Sequence, residues 1–505
     1  MKAKSIIAVL AIALGLGVNA VPEKVCTIQV ADKATLVQTA TTAGNLVGYP
    51  MLGMMATMGL ADNPVNAELG EFRTGESCFV SIYVDPEKVT KMDDLPAAFS
   101  GVSILYAPEK SKQDFLTAKP GREEKDGVIK FSDAFLVYSE DEKWAAVATS
   151  AELAKSALAD VAEAQKPMDG DFAKVGFFEP GVKIYSMFAS EAAKQLESSG
   201  VSIKTMPSLI AIIDSLKSGK FGVRLGDVGL DIRGAITPVD GSDLSKVCAT
   251  PLEGDALAFA PADSIYAVSG AQGSGCDFAK VVALYDGLVA AVRDSGINTD
   301  WYKSASDGTT FKVVCDVAAA IKYFMSEEGQ TAANAVNAED FEKKVMALYD
   351  SDATDIYKID PESKPFSFAL SLPGADSKQS MSALFAKVLP DAAAKKPSVA
   401  CVYRYYTFVK ALAPALAVFV PEKTASVFSA AIATLPSDDG AGIATALYRD
   451  GADLAFTSRV SAEEIRGFAA VFNAVVGYMA MAEAEDCGCD SGDDDDDDDD
   501  DDDEE

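Results

Sequence analysis

The chain has 505 residues, 49% of them hydrophobic and 24% charged, with 8 cysteines, no histidine and a formal net charge of −33. That length and composition suit roughly two to four folded domains with sizeable cores. The missing histidine excludes histidine triads, histidine zinc ligands and imidazole bases. The acidic balance argues against nucleic acid and against anionic membrane surfaces, both of which need clustered lysine and arginine.

The charge has two sources. Residues 493–505 are thirteen consecutive acids, which leaves −20 on everything before them. The body is therefore acidic in its own right. At the other end, Lys2 and Lys4 precede an apolar run over residues 6–18 and the small-residue site Val18-Asn19-Ala20, the pattern of a secretory signal peptide over residues 1–20. Such a run is too short to span a bilayer. The expectation is a cleaved leader and a protein exported to the periplasm or beyond the cell. The richest later segment, 411–420, carries Pro414 inside it and reads as a buried helix, so no stable membrane insertion is expected.

In chain order, residues 25–30 read as a strand and 33–47 as a helix. Met51, Met54, Met55 and Met58 follow at helical spacing; thioethers suit copper(I), but core packing is the preferred reading. Strands at 78–84 and 102–106 lead to a strand–turn–strand unit at 134–149. Ser150 caps the helix after it, with Leu153, Ala154, Ala157 and Leu158 as the inner face. A linker is expected at 165–170, then a strand at 182–188 and helices at 190–196 and 208–216. A hairpin at 221–236 turns at Gly226-Asp227.

From about 252 the order begins again, with short strands at 256–260 and 265–268 and a helix at 277–292. Helical stretches at 317–325 and 341–349 precede a strand at 366–371 and helices at 381–389, 403–420 and 425–432. The last unit is the clearest. Strands at 443–448 and 453–458 flank Arg449-Asp450-Gly451, a strong hairpin signal, and Ser461-Ala-Glu-Glu464 has the form of a capping box. The apolar stripe Ile465, Phe468, Phe472, Val475, Val476 and Met479 is then expected to be buried.

The pattern predicts an α+β fold: two degenerate repeats of mixed or antiparallel sheets with packed helices, plus a disordered acidic tail. The repeats are placed at 21–250, with a sub-boundary near 165–170, and at 251–484, before a tail at 485–505. A leader followed by strand–helix modules with phrases such as Leu257-Ala-Phe-Ala-Pro-Ala-Asp263 resembles large exported bacterial proteins of unknown function. That resemblance implies a periplasmic or secreted role and transfers no catalytic residue.

Cys26, Cys78, Cys248, Cys276, Cys315 and Cys401 are scattered, and form either up to three disulfides or buried free thiols. Cys487 and Cys489 form a Cys-Gly-Cys pair open to three readings: a soft-metal pair, an interchain link or a strained internal bridge. The carboxylates Asp490, Asp493, Asp494, Asp495, Asp496, Asp497, Asp498, Asp499, Asp500, Asp501, Asp502, Asp503, Glu504 and Glu505 offer only oxygen ligands. Weak, multiple binding of calcium or magnesium is expected there, or docking to a basic partner, or simple solubilisation. This tail resembles the acidic end of calsequestrin-type calcium stores.

Two weaker candidates are Gly270-Ala-Gln-Gly-Ser-Gly275, an anion cradle or a flexible connection, and Tyr403-Arg-Tyr-Tyr-Thr-Phe408, an aromatic surface or a half-buried face. The reading reached is a non-enzymatic acidic binding or scaffold protein. The alternatives are a periplasmic enzyme using carboxylate or serine–lysine chemistry, and a cell-surface structural protein.

Overall fold

The structure, a computed structural model, describes residues 22–61, 69–198, 206–349, 351, 355–373, 379–416, 429–430 and 432–486. Among the described residues the alternating and apolar runs become seventeen strands. In chain order these are β1 (Glu23–Val30), β2 (Cys78–Val84), β3 (Phe99–Tyr106), β4 (Glu123–Lys125), β5 (Val128–Phe131), β6 (Ala134–Tyr138) and β7 (Ala145–Ala148). Next come β8 (Ala173–Phe177), β9 (Leu216–Gly226), β10 (Gly229–Pro238), β11 (Ser264–Gly270) and β12 (Tyr302–Ser306). The last are β13 (Thr310–Cys315), β14 (Phe366–Ser371), β15 (Val399–Tyr403), β16 (Ile443–Asp450) and β17 (Asp453–Ser461).

All seventeen belong to one sheet, where two sheets were expected. Pairing runs β4-β5-β6-β7-β3-β2-β1-β8-β9-β10 and continues β17-β16-β15-β11-β14-β13-β12. Among the described residues only β13 and β14 pair in parallel. The halves join at β10–β17, in register from Gly229 opposite Ser461 to Ile236 opposite Leu454. Pairing order is the same on both sides of that seam, β2-β1-β8-β9-β10 against β14-β11-β15-β16-β17; outside these ten strands the halves diverge.

A buried charge cluster sits at the seam. Asp231 on β10 accepts from Arg224 of β9 and from Arg459 of β17, whose Nη1 also reaches the carbonyl of Val388 at 3.0 Å. Burial alone would raise the Asp231 carboxyl, but hydrogen bonds and charge from Arg459 and Arg224 outweigh it and hold the group below its ordinary range.

The longer helices are α1 (Lys33–Val47), α2 (Leu52–Ala61), α3 (Lys112–Ala118), α4 (Ala151–Ala157), α5 (Glu179–Ser198), α6 (Met206–Asp214) and α7 (Phe278–Asp294). They continue with α8 (Val317–Met325), α9 (Glu327–Ala335), α10 (Ala338–Tyr349), α11 (Met381–Val388), α12 (Tyr405–Leu416) and α13 (Ala462–Asp486). Ser150 caps α4 by accepting from the amide of Leu153, and Leu153, Ala154 and Ala157 are buried as expected. The largest core cluster lies under α11. Met381, Leu384, Phe385 and Val388 rest on a floor of Ala267, Ala369, Ala400, Ala444 and Ala446 from β11, β14, β15 and β16.

Two expected strands are something else. Residues 182–188 lie inside α5, where buried Val182 and Ser186 stand four apart, the helical spacing. The start of that helix lies so close to β1 that a Cβ at Gly181 would collide with Val25. Residues 256–260 form turns, and Leu257 and Ala260 drop from them into the core under α11.

Candidate functional site

Helices α1 and α2 pack as a close pair through small residues. A Cβ on Gly44 would run into the Tyr49 carbonyl, and one on Gly53 into Thr41. With glycine turned inward, the thioethers point out: Met51, Met54, Met55 and Met58 are exposed, Met55 at 61%. The reading of this run as core packing is thus corrected. A close approach between two helix backbones leaves no room for methionine between them.

The same device governs α13. Its first two turns bury Ala462, Glu464 and Gly467, and a Cβ at Gly467 would strike the ring of Tyr406. Contrary to expectation, Phe468, Phe472, Val475 and Val476 face outward, Phe472 at 56% exposure, while Ile465 is half-buried. Tyr49, at the turn between α1 and α2, donates its hydroxyl to Oδ1 of Asn473 at 3.1 Å. One hydrogen bond thus ties the turn between α1 and α2 to α13, which packs along α1. Neither 52–61 nor 467–482 contains a charged residue. Large apolar patches on a protein's surface mark interaction sites.

Beneath this face lies a buried polar cluster that fixes where α13 starts. Ser461 Oγ accepts from the amide of Glu464 at 3.2 Å, half of the expected capping box. The other half is redirected, because the amide of Ser461 is already used by the Gly442 carbonyl. Glu464 Oε1 instead accepts from the amide of Tyr406 at 2.6 Å and so caps α12, a different helix. Its Oε2 is buried with no hydrogen-bond partner. Burial pushes the Glu464 carboxyl up to about 7, against the opposing pull of the Tyr406 amide and the Arg404 guanidinium. Arg404 donates to Asp438 at 3.2 Å, and Thr407 donates to the same carboxylate at 2.8 Å.

Comparison with family models, curated proteins and solved structures finds no match. The remaining candidates are placed by geometry alone. In 270–275 the amides of Ala271, Gly273, Ser274 and Gly275 are already engaged: Gly273 donates to the Ser363 carbonyl and Gly275 to Ser363 Oγ at 3.1 Å. A loop whose donors are spent on its own chain makes no anion cradle; it is a pinned connection between β11 and α7. In 403–408, Tyr406 is fully buried with its hydroxyl on the Pro436 carbonyl at 2.6 Å, while the Tyr405 ring packs at a tilt against Tyr403 and Phe468.

The six described cysteines are all free, and burial raises the thiol pKa of each. Raised thiols in apolar surroundings are packing groups rather than nucleophiles. Among the described residues no three cysteine or carboxylate side chains gather as a cation site would require, and no helix is long and apolar enough to cross a membrane. The tail acids and the Cys487/Cys489 pair lie outside the described residues, as does the 1–20 leader.

Two adjoining hollows of about 260 and 630 Å³ share Asn298 and Tyr323, beside β12 and between α8, α9 and the end of α7. Trp301, Asp300 and Asp316 line the smaller one. The Trp301 indole is spent on the Asn298 carbonyl at 2.8 Å, and Asp316 caps α8 through the amide of Ala319 at 2.9 Å. Trp301 and Asp316 thus serve the fold.

What sequence reasoning missed is the outward face. The signal for it was present: glycines at 44, 53 and 467 stand beside runs of large apolar residues. A helix that docks through glycine turns its bulky side to solvent.

Proposed function

We propose that this chain is an exported, non-enzymatic acidic binding or scaffold protein, with an acidic tail that gathers divalent cations or meets a basic surface. The observation that carries the reading is the root of the tail. Helix α13 leaves the body at the seam strand β17 and runs to Asp486, and the Cys-Gly-Cys pair and the acids at 490 and 493–505 follow directly. A run of adjacent carboxylates cannot bury itself and concentrates negative potential, so it collects cations in a salt-dependent way. The leader pattern supports export. The shared strand order on the two sides of the seam supports duplication of one unit, an arrangement suited to a scaffold.

The test is calcium equilibrium dialysis at physiological salt with magnesium as competitor. It compares the full chain with a variant in which Asp493 to Asp503 are asparagine and Glu504 and Glu505 glutamine. Several weak sites that vanish in the variant are the expected result. Equal, negligible binding by both proteins would assign the tail to docking or solubility alone.

A further inference from the structure

We propose that Glu464 is a pH-sensitive latch: its protonated carboxyl fastens the first two turns of α13 to the start of α12, and its ionisation releases that joint while the sheet stays folded. This goes beyond the binding-protein reading above and does not depend on it.

Geometry carries the inference. Glu464 is 3% exposed and is shared by two helices, since it sits in the first turn of α13 and accepts the Tyr406 amide of α12 at 2.6 Å. Its second oxygen, Oε2, is buried with no hydrogen-bond partner. A protonated carboxyl keeps that oxygen neutral, whereas a carboxylate puts charge on an atom that no donor reaches. The start of α13 has a cap that ionisation leaves intact: Ser461 Oγ accepts from the backbone amides of Glu464 at 3.2 Å and Gly442 at 3.1 Å. The helix can therefore lift from α12 as a helix, turning at Ser461. One turn further along, Gly467 lies against the Tyr406 ring, a contact with no charge to hold it.

The charges around Glu464 do not rescue its ionised form. Arg404, where β15 leads into α12, attracts the carboxylate but already donates to Asp438 at 3.2 Å, and Asp439 acts on the same guanidinium. One cation thus serves several carboxylates. Tyr403 of β15 and Tyr406 of α12 also face Glu464, and burial raises both phenols, so they stay neutral. Charged groups on the other elements packed against α13 are engaged elsewhere. Arg459 of β17 pairs with Asp231 of β10, Arg233 of β10 with Asp171 at 2.7 Å, and Asp453 of β17 accepts from Thr237 at 2.7 Å. Lys410 of α12 donates to the Pro436 carbonyl at 3.0 Å, and α1 carries one charged residue, Lys33, at its first position. On α13 itself Arg466 is exposed, while Glu463 and Lys387 of α11 adjoin Gly440.

Burial lifts the Glu464 carboxyl from 4.5 to about 7, so the latch is fully closed below the ordinary value and opens as pH rises through about 7.

The test is hydrogen exchange read by mass spectrometry on the full chain from about pH 5 to about pH 8, with rates corrected for the intrinsic pH dependence of amide exchange. Segments 405–412 and 462–472 report on the joint, and 216–238, the β9–β10 hairpin, reports on the sheet. In the natural chain, protection at the joint should fall on the order of 50- to 100-fold across that range while the hairpin holds. Glu464→Gln should keep the joint protected at every pH. A flat profile in the natural chain would overturn the latch. So would an equal loss in the glutamine variant, which would assign the pH dependence to another group, and so would a loss shared by the hairpin, which would make it general loosening. Urea midpoints show whether the variant is folded; if it is not, Asp438→Asn decides. Arg404 then faces Glu464 with one competitor fewer, so the release should move to lower pH, and an unmoved release would overturn the proposal.

Discussion

Helices α11 and α13 are written in nearly the same grammar and packed in opposite senses. Each begins at a serine whose hydroxyl accepts a backbone amide from the first turn, Ser380 from Ala383 and Ser461 from Glu464, and each carries large apolar residues at three- and four-residue spacing. In α11 those residues are inside, Leu384 at 0% exposure; in α13 they are outside. The difference lies in what each helix meets. The strands under α11 present alanine, a shallow floor that leaves space for leucine and phenylalanine. Helix α13 meets the ring of Tyr406, which fills the space, and only glycine at 467 fits beneath it. Packing at native density demands large against small on every contact, so the residue across the interface decides which side of an amphipathic helix faces in.

That contrast can be broken in order of size. Leu384→Ala removes a fully buried side chain from the alanine floor and should cost about 2–5 kcal/mol, read as a fall in the urea midpoint at unchanged slope. A loss near zero would mean that α11 is not anchored through its stripe.

Glu464→Gln tests the anchor of α13 through pH. Burial raises this carboxyl from an ordinary 4.5 to about 7 in the folded chain, so folding favours its protonated form. The stability it contributes is fully present below the ordinary value and is lost as pH rises through about 7. Across that window the natural chain should lose on the order of 3 kcal/mol relative to the glutamine variant, whose stability lacks this slope. Parallel stability–pH curves for the two proteins would show that the carboxyl titrates normally.

Gly467→Val places a side chain against the Tyr406 ring and should destabilise by about 1–3 kcal/mol, with a loss of helical ellipticity confined to the C-terminal helix. A neutral outcome would mean that α13 can lift from α12 at little cost. The smallest effect is expected from Phe472→Ser, a change of about 0.5 kcal/mol or less in the same urea assay, because the ring is already in solvent. A loss as large as that of Leu384→Ala would put Phe472 in a core.

Local order was well marked along the chain. The Asp-Gly hairpin became β16–β17 with Asp450 opposite Asp453; the run Leu230, Asp231, Ile232 and Arg233 became β10, but its alternation reads Leu230 and Ile232 as the buried face, whereas Asp231 is the buried residue, held by Arg224 and Arg459 from neighbouring strands. The Ser150 cap formed as expected because it needs only neighbours three residues away. Interpretation failed wherever the deciding partner was distant in sequence. The methionines point outward because of Thr41 and Gly53, and Glu464 caps a helix that begins fifty-nine residues earlier, at Tyr405.

By itself the amino-acid order determined the element types over most of the body, the mixed helix and strand class, the acidic character and the candidate tail, since each depends on period, composition or contacts within a turn. Tertiary structure alone decided that two expected sheets are one, joined where β10 meets β17, and that two apolar helix faces look outward. Both depend on which backbones approach each other closely enough to pair or to require glycine, and that proximity is set by the whole chain at once.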